Sequence, residues 1–493
     1  MISGRERTET TGTLGELAER LKALVGRENV LTDPEDLAAY AFDATAAMKP
    51  RRPALVVTPA TVEQVAAIVR LAGETGTPVF PRGAGTNLSG GAIPVENGIV
   101  MAFTRMDRIL EVDPENLTAT VEPGVIIQDL NDEVARHGLM YPPDPGTVTT
   151  ATMGGSVSEC SGGLRGLKYG VTKHYVMGLK VVLANGQTIT VGGKTVKNVS
   201  GYDLVGLFTG AEGTLGIVVE ITVKLIPKPE AKRSMLAVFG TMEGAARSIT
   251  GIIANHVIPA TLEIMDNTTI RTVEDFAHVG LPTGAEAVLL IEGDGHPAVV
   301  AQEAEAVVRV CRENGAEVQV AENDAERDKL WTARRQALPA LARVRPTTIL
   351  EDATVPRSQI PAMLAELREI AARNRVTMGT FGHAGDGNLH PTILTDARDA
   401  AEMERVEKAV EEIFAAALKL GGTLSGEHGI GLAKKRFLKW EFGDAGVEAL
   451  AAIKKALDPG NILNPGKVIG EEGDSAQVDN GVVGKSAVEA GGR

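Results

Sequence analysis

The sequence predicts an α+β protein built from two packed units, and three observations carry that expectation. A strand–helix–strand pattern between residues 54 and 80 delivers the chain into a Gly-rich loop, Pro81 to Gly91. Pro227 and Pro229 then mark a boundary. Beyond it, two strand–helix–strand sets follow one another, the pattern of a sheet with helices on one face.

Composition narrows the function. The chain has 493 residues, enough for two or three domains with sizeable cores. Its 64 acidic residues against 50 basic ones give a net charge of −14, which argues against a nucleic-acid partner. With two cysteines, Cys160 and Cys311, it lacks the thiolates of an iron–sulfur cluster, and a reduced cytosolic setting is expected. The polar start, Met1 to Thr11, does not read as a signal peptide. No run of about 18 apolar residues predicts a membrane span.

Taken in order, Thr13 with Glu16 reads as a capping box, opening a helix with a Leu14, Leu17, Leu21, Leu24 stripe that Gly26 closes. A strand at Ala54 to Val57 precedes a helix capped by Thr61 and Gln64, ended by Gly73 and Gly76. Strands at Ile99 to Phe103 and Thr118 to Glu122 follow, with a helix over Ile126 to Arg136. Asp144 to Gly170 is dense in glycine and without periodicity, the mark of a functional loop. Asn185-Gly186 between apolar runs predicts a hairpin. Gly210 to Gly216 then feeds a strand over Ile217 to Leu225. In the second unit, strands at Met235 to Phe239, Thr261 to Met265, Ala287 to Ile291 and Glu317 to Val320 alternate with helices at Met242 to Asn255 and Val299 to Glu313. Helices at Asp324 to Arg343, Ile360 to Arg373 and Ala400 to Leu420 complete it. The tail after Ile469 is rich in Gly, Ser and charge, and predicts disorder.

Two kinds of chemistry are written into these loops. In Pro81-Arg82-Gly83-Ala84-Gly85-Thr86-Asn87, with Gly90 and Gly91 beyond, glycines let successive N–H groups form a concave nest suited to phosphate. The second constellation is Gly382-His383-Ala-Gly-Asp386-Gly387-Asn388-Leu389-His390. If Asp386-Gly387 is a two-residue turn, His383 faces His390 with Cβ atoms roughly 4.5–5.5 Å apart, close enough to chelate one metal. The alternative is a histidine pair bonded to backbone. Glu427-His428, in a Gly-rich loop after a long amphipathic helix, has no evident packing reason and is a third candidate. Were its carboxylate to join the two imidazoles, as the resemblance given below implies, the set would suit zinc, then manganese or iron.

The three Gly-rich loops, together with Asp458-Pro-Gly-Asn-Ile-Leu-Asn-Pro-Gly-Lys467, closely resemble the FAD-linked oxidases of the vanillyl-alcohol oxidase (PCMH-type) superfamily. Within it the chain is similar to the group holding glycolate oxidase flavin subunits and D-lactate and D-2-hydroxyglutarate dehydrogenases. The resemblance runs from about Arg52 to Lys467. It implies an N-terminal helical segment (1–51), a two-subdomain FAD domain (52–229), an α+β cap (230–420), a segment returning to the FAD domain (421–469) and a tail (470–493). By motif, Pro81 to Gly91 wraps the pyrophosphate. Gly154, Gly155, Ser158, Gly162 and Gly163 line the flavin, and Glu212, Gly213, Gly216 and Ile217 lie near the adenine half. No histidine stands in the first loop, where covalent members carry one, so FAD is expected to dissociate.

The resemblance further implies that His383, His390 and Glu427 bind a divalent metal and that His428 is the base; the ordinary pKa of its residue type, about 6.5, lets it take a proton at working pH. Arg334 stands where the family binds a substrate carboxylate. Leu350 stands where dicarboxylate-selective relatives carry a lysine. The implied activity is oxidation of a small 2-hydroxy acid, glycolate or D-lactate, to the 2-oxo acid. A D-2-hydroxyglutarate-type dehydrogenase and a metal-dependent hydrolase of a nucleotide substrate are the alternatives. Electrons from FAD are expected to pass to a quinone or another acceptor, with a second flavin-type subunit and an iron–sulfur subunit as partners at the inner membrane surface.

Overall fold

The computed structural model describes residues 4–94 and 98–469, with side chains from residue 14 onward. The tail expected to be disordered therefore lies outside the described residues. The first helix spans Gly4–Val25 and so begins before Thr13, which the sequence pattern made its cap; Gly26, at φ 92°, ends it as expected. Helix Val62–Thr75 follows its sequence signals closely. Thr61 Oγ1 accepts from the Gln64 N–H, and Gly76 closes the last turn in the left-handed region, while Gly73 lies within the helix.

Two sheets form the first unit. In the four-stranded one, Ile99–Ala102 lies parallel between Leu55–Val57 and Val79–Arg82. The strand–helix–strand unit therefore leaves room for a third strand at its centre. The five-stranded antiparallel sheet runs Ile109–Asp113, Thr118–Val121, Ile217–Lys224, Val176–Val182, Thr188–Gly192. Gly186, at φ 75°, makes the turn the Asn-Gly pair predicts. The Asp144–Gly170 region is less irregular than expected, for it holds short helices at Met153–Glu159 and Gly166–Tyr169. At the far end of the chain, Val79 N–H donates to Ile462 O and Asn464 N–H to Val79 O, so the last described segment docks beside the strand that enters the Gly-rich loop.

The second unit is an eight-stranded sheet. Its strand order is Ala316–Val320, Ala231–Phe239, Ala287–Gly295, Thr261–Asp266, Thr377–His383, Asn388–Thr395, Thr347–Leu350, and Ala353–Thr354 also pairs with Asn388–Thr395. Helices cover both faces, not one. Met235, Ala237 and Phe239 point into a core shared with helices Met242–Ala254, Pro297–Glu313, Ile360–Asn374 and Ala400–Lys419. Leu236 points the other way, toward helices Asn267–Ala277, Asp324–Arg335 and Ala337–Leu341. The first of these three was hidden by its β-branched start, Asn267-Thr-Thr-Ile. The other two were expected as one helix; Pro339 lacks an N–H and its ring crowds the carbonyl four residues back, at Arg335, where the helix stops. Helix Leu438–Leu457, with Gly443 outside helical geometry, gave no readable signal either.

The histidine hairpin differs from expectation in its turn. His383 pairs with Asn388, and Phe381 with His390, so residues 384–387 form a four-residue loop. Asp386-Gly387 ends that loop and is not itself the turn. Gly387 sits at φ 92°, and a Cβ there would lie 2.0 Å from the Val355 carbonyl oxygen. Gly387→Ala is therefore expected to destabilise by at least about 1–3 kcal/mol, the scale of strained backbone alone. A denaturant midpoint equal to that of the parent would show that the loop can relax.

Candidate active site

The register slip of two residues leaves both histidines on one face, because side chains alternate with period two. Their ring centroids are 5.1 Å apart. The same face gathers further groups. Glu263 stands opposite His383 on the neighbouring strand, since Ile264 pairs with Gly382. Fully buried, Glu263 holds His383 Nδ1 at 2.8 Å with one oxygen and Arg334 Nε at 2.6 Å with the other. Burial alone would raise its carboxyl, but His383 and Arg334 outweigh that and hold it below the ordinary carboxylate value. Arg334 lies over the Phe381 ring at 4.7 Å. One turn earlier on the same helix, Trp331 Nε1 donates to the buried Glu292 at 2.9 Å. The helix carrying Arg334 is thus tied to the sheet by two acids. Leu350 pairs with Thr392, two residues beyond His390, and so shares this face.

Glu427 and His428 arrive on the loop after helix Ala400–Lys419. Asp352, fully buried, organises it: a single oxygen accepts from the backbone N–H groups of Gly426, Glu427 and His428 at 2.8, 3.0 and 3.0 Å, and from Ser425 Oγ at 2.8 Å. Glu427 Oε1 then lies 3.3 Å from His383 Nε2, 3.3 Å from His390 Nε2 and 3.6 Å from His428 Nε2. Burial opposes charge on His383, yet Glu263 and Glu427 raise its imidazole well above the ordinary value. Burial likewise opposes charge on Glu427, but His383 and His390 hold it well below. His428 departs from expectation. Burial pushes it down to about 4 despite Asp352 and Glu427, so it is a neutral imidazole at pH 7 and not a group titrating near 6.5.

Three donors about 2.1 Å from a common centre in tetrahedral directions lie about 3.4 Å apart. The contacts of both imidazoles with Glu427, at 3.3 Å, match that spacing. His383 Nδ1 is already held by a carboxylate, the usual outer support of a metal-ligating imidazole. The donor set therefore fits a divalent cation.

These groups open onto a cavity of about 400 Å³ that reaches into the first unit. Pro81 to Asn87, Gly91, Gly154, Gly155, Ser158, Glu212, Gly213, Gly216 and Ile217 line it, together with Arg334, His383, His390, Glu427 and His428. Three expected cofactor residues do not. Gly90, at φ 78°, is packed against Met48 and Leu432. Gly162 backs Glu427, where a Cβ would lie 2.6 Å from its Oε2, and Gly163 abuts the Asp144 carbonyl at φ 131°. Glu212 has a second role: its carboxylate accepts from the Ile430 and Gly431 N–H groups at 2.7 and 2.8 Å, joining the two units. Sequence reasoning missed Glu159, a buried carboxyl on the cavity wall that burial and neighbouring Glu212 push well above its ordinary value. It also missed Glu263 and the anchoring role of Asp352.

The family "FAD binding domain" matches residues 53–192, and "FAD linked oxidases, C-terminal domain" matches residues 228–468. Over 458 residues the chain is 50% identical to the glycolate oxidase subunit GlcD of Bacillus subtilis, covering 93% of this chain and 97% of that one. The chain belongs to the FAD-linked oxidases. GlcD of Escherichia coli is 39% identical to this FAD-linked oxidase, over 94% of the chain and 91% of the relative. A D-lactate dehydrogenase of Archaeoglobus fulgidus is 39% identical over 87% and 95%. The oxidase also shares its fold with p-cresol methylhydroxylase, at TM-score 0.77 and 20% identity over 93% of this chain and 97% of that one. Family membership removes the hydrolase alternative. Among the described residues of the oxidase, no helix is long and apolar enough to cross a membrane.

Proposed function

We propose that this oxidase converts a small 2-hydroxy monocarboxylic acid, glycolate or D-lactate, to the 2-oxo acid. The observation that carries the reading is the convergence of His383, His390 and Glu427 beside Arg334, at the end of a cavity walled by the Gly-rich loops. His383, His390 and Glu427 would hold a divalent cation, zinc before manganese or iron, and the loops a dissociable FAD. When bound, FAD supplies the acceptor for the C2 hydride and the cation a Lewis acid for the hydroxyl. Arg334 offers its guanidinium to the substrate carboxylate. His428, neutral because it is buried, accepts the hydroxyl proton at a ring nitrogen. Leu350, half-buried on the cavity wall, leaves the far end of the substrate without a cation opposite it.

Relatives bearing the name "subunit" support a multisubunit setting. In our reading the partners are a second flavin-type chain and an iron–sulfur chain, which carry electrons to a quinone at the inner membrane surface. Anaerobic mixing with glycolate or D-lactate is expected to bleach the flavin spectrum, and chelator-stripped enzyme to leave it unbleached. Acid precipitation should give a colourless pellet and a yellow supernatant. A flavin spectrum indifferent to every 2-hydroxy acid would overturn the reading.

A further inference from the structure

The two histidines of the site are supported unequally by direct contacts. His383 faces a buried acid across the sheet and bonds it through Nδ1. His390 keeps Nε2 at 3.3 Å from Glu427, while its Nδ1 is buried and has no partner among the described residues. Opposite it stands Asp352. Thr354 pairs with Asn388 and Ala353 with Leu389, and the ladder continues, since Glu351 N–H donates to Pro391 O at 3.0 Å. That register sets Asp352 directly across from His390, as Glu263 is across from His383.

Three more buried polar atoms without partners among the described residues belong to the same patch: Asp352 Oδ1, Thr354 Oγ1 and Asn388 Oδ1. All four side chains lie on one face of the ladder, because their pairings alternate by two. The backbone of the catalytic loop closes over them at Gly426, where a Cβ would lie 2.1 Å from Asn388 Nδ2 and 2.2 Å from Thr354 Oγ1. A carboxylate oxygen of Asp352 and a ring nitrogen of His390 lie within 4.8 Å of each other. Two hydrogen bonds of about 2.8 Å meeting at one water span about 4.6 Å. Lys434 Nζ, 3.5 Å from the other Asp352 oxygen, disfavours a second cation there and favours a neutral bridge.

We propose that Asp352 is a positioning residue for His390, accepting its Nδ1–H through one bridging water and thereby aiming the Nε2 lone pair at the point that His383 and Glu427 also face. Its other oxygen holds the backbone that presents Glu427 and His428. One carboxylate thus orients three site residues from two different segments. The arrangement repeats on the His390 side what Glu263 does for His383.

The inference rests on His383, His390 and Glu427 being cation ligands, and its test separates the two ideas. Zinc is titrated into chelator-stripped, FAD-loaded enzyme in competition with a chromophoric chelator, for the parent, Asp352→Asn and Thr354→Val. Flavin content and thermal midpoint are read on the same samples. Asp352→Asn is expected to weaken zinc binding by about 10- to 100-fold at full flavin content. In this reading Thr354 Oγ1, unpartnered among the described residues on the same face, is the water's third contact, so Thr354→Val, which leaves the loop's anchors in place, should weaken zinc binding in the same direction. A lowered midpoint with unchanged zinc affinity would make Asp352 a structural anchor only and overturn the proposal. Should Asp352→Asn fail to fold, parent-like affinity in Thr354→Val overturns it alone. A parent that binds no zinc overturns the ligand reading and this inference with it.

Discussion

His383→Ala and Glu427→Gln are each expected to abolish flavin reduction by substrate while FAD remains bound. Both side chains converge on one point, with Glu427 Oε1 3.3 Å from both His383 Nε2 and His390 Nε2. His383→Ala leaves two donors, and Glu427→Gln exchanges the one anionic donor for a neutral amide oxygen, so neither variant holds a cation firmly. Lewis-acid assistance is worth several kcal/mol, so its loss corresponds to a fall of at least about 10³-fold in the reduction rate. FAD retention is expected because the loop proposed to hold its pyrophosphate, Pro81 to Gly91, lies in the other unit. Gln is also isosteric with Glu, which matters where Gly162 leaves no slack around Oε2. His428→Ala should behave differently, retaining metal and slowing reduction by about 10²–10⁴-fold, the range of a general base. Anaerobic stopped-flow absorbance with metal analysis distinguishes them. Reduction at the parent rate in metal-free His383→Ala would remove the cation from the reaction.

Legibility in the sequence followed the range of the interactions. The place of the Gly-rich loops on the cavity wall was readable because glycine spacing reveals where consecutive backbone conformations turn the chain sharply. Gly90, Gly162 and Gly163 belong to the same runs but answer to close packing from residues far along the chain, and local pattern does not separate these uses. The histidine pair was read on the right face with the wrong turn, since period-two alternation forgives a slip of two, and the loop is held by distant partners such as Val355, whose N–H donates to Gly387 O at 3.1 Å, and Leu262, whose carbonyl accepts from Gly385 N–H at 3.0 Å. Glu263 and Asp352 carried no local mark. One meets a histidine 120 residues away, and the other caps a loop 73 to 76 residues away. Their role exists only once strands pair. His428's low pKa is likewise a product of burial, absent from the motif that pointed to it.

Arg334→Ala is expected to lower kcat/KM and stability together, and a second substitution separates the causes. The arginine is read as the substrate's carboxylate partner, yet its Nε is already held by Glu263 at 2.6 Å, and its guanidinium lies over Phe381. Breaking a buried pair by removing one member costs about 3–5 kcal/mol, because the remaining charge is uncompensated. Glu263 retains His383 as a second partner, so the lower end of that range is expected. Losing a desolvated charge pair to substrate costs about 2–5 kcal/mol in transition-state binding, or roughly 30- to 5,000-fold in kcat/KM. The double variant Arg334→Ala with Glu263→Gln removes the stranded charge, so its denaturant midpoint should recover toward the parent while kcat/KM stays low. If single and double variants are equally unstable, Glu263 is not the source of the destabilisation. If Arg334→Ala keeps the parent's kcat/KM, the guanidinium is a clamp between helix and sheet, and the substrate carboxylate is bound elsewhere.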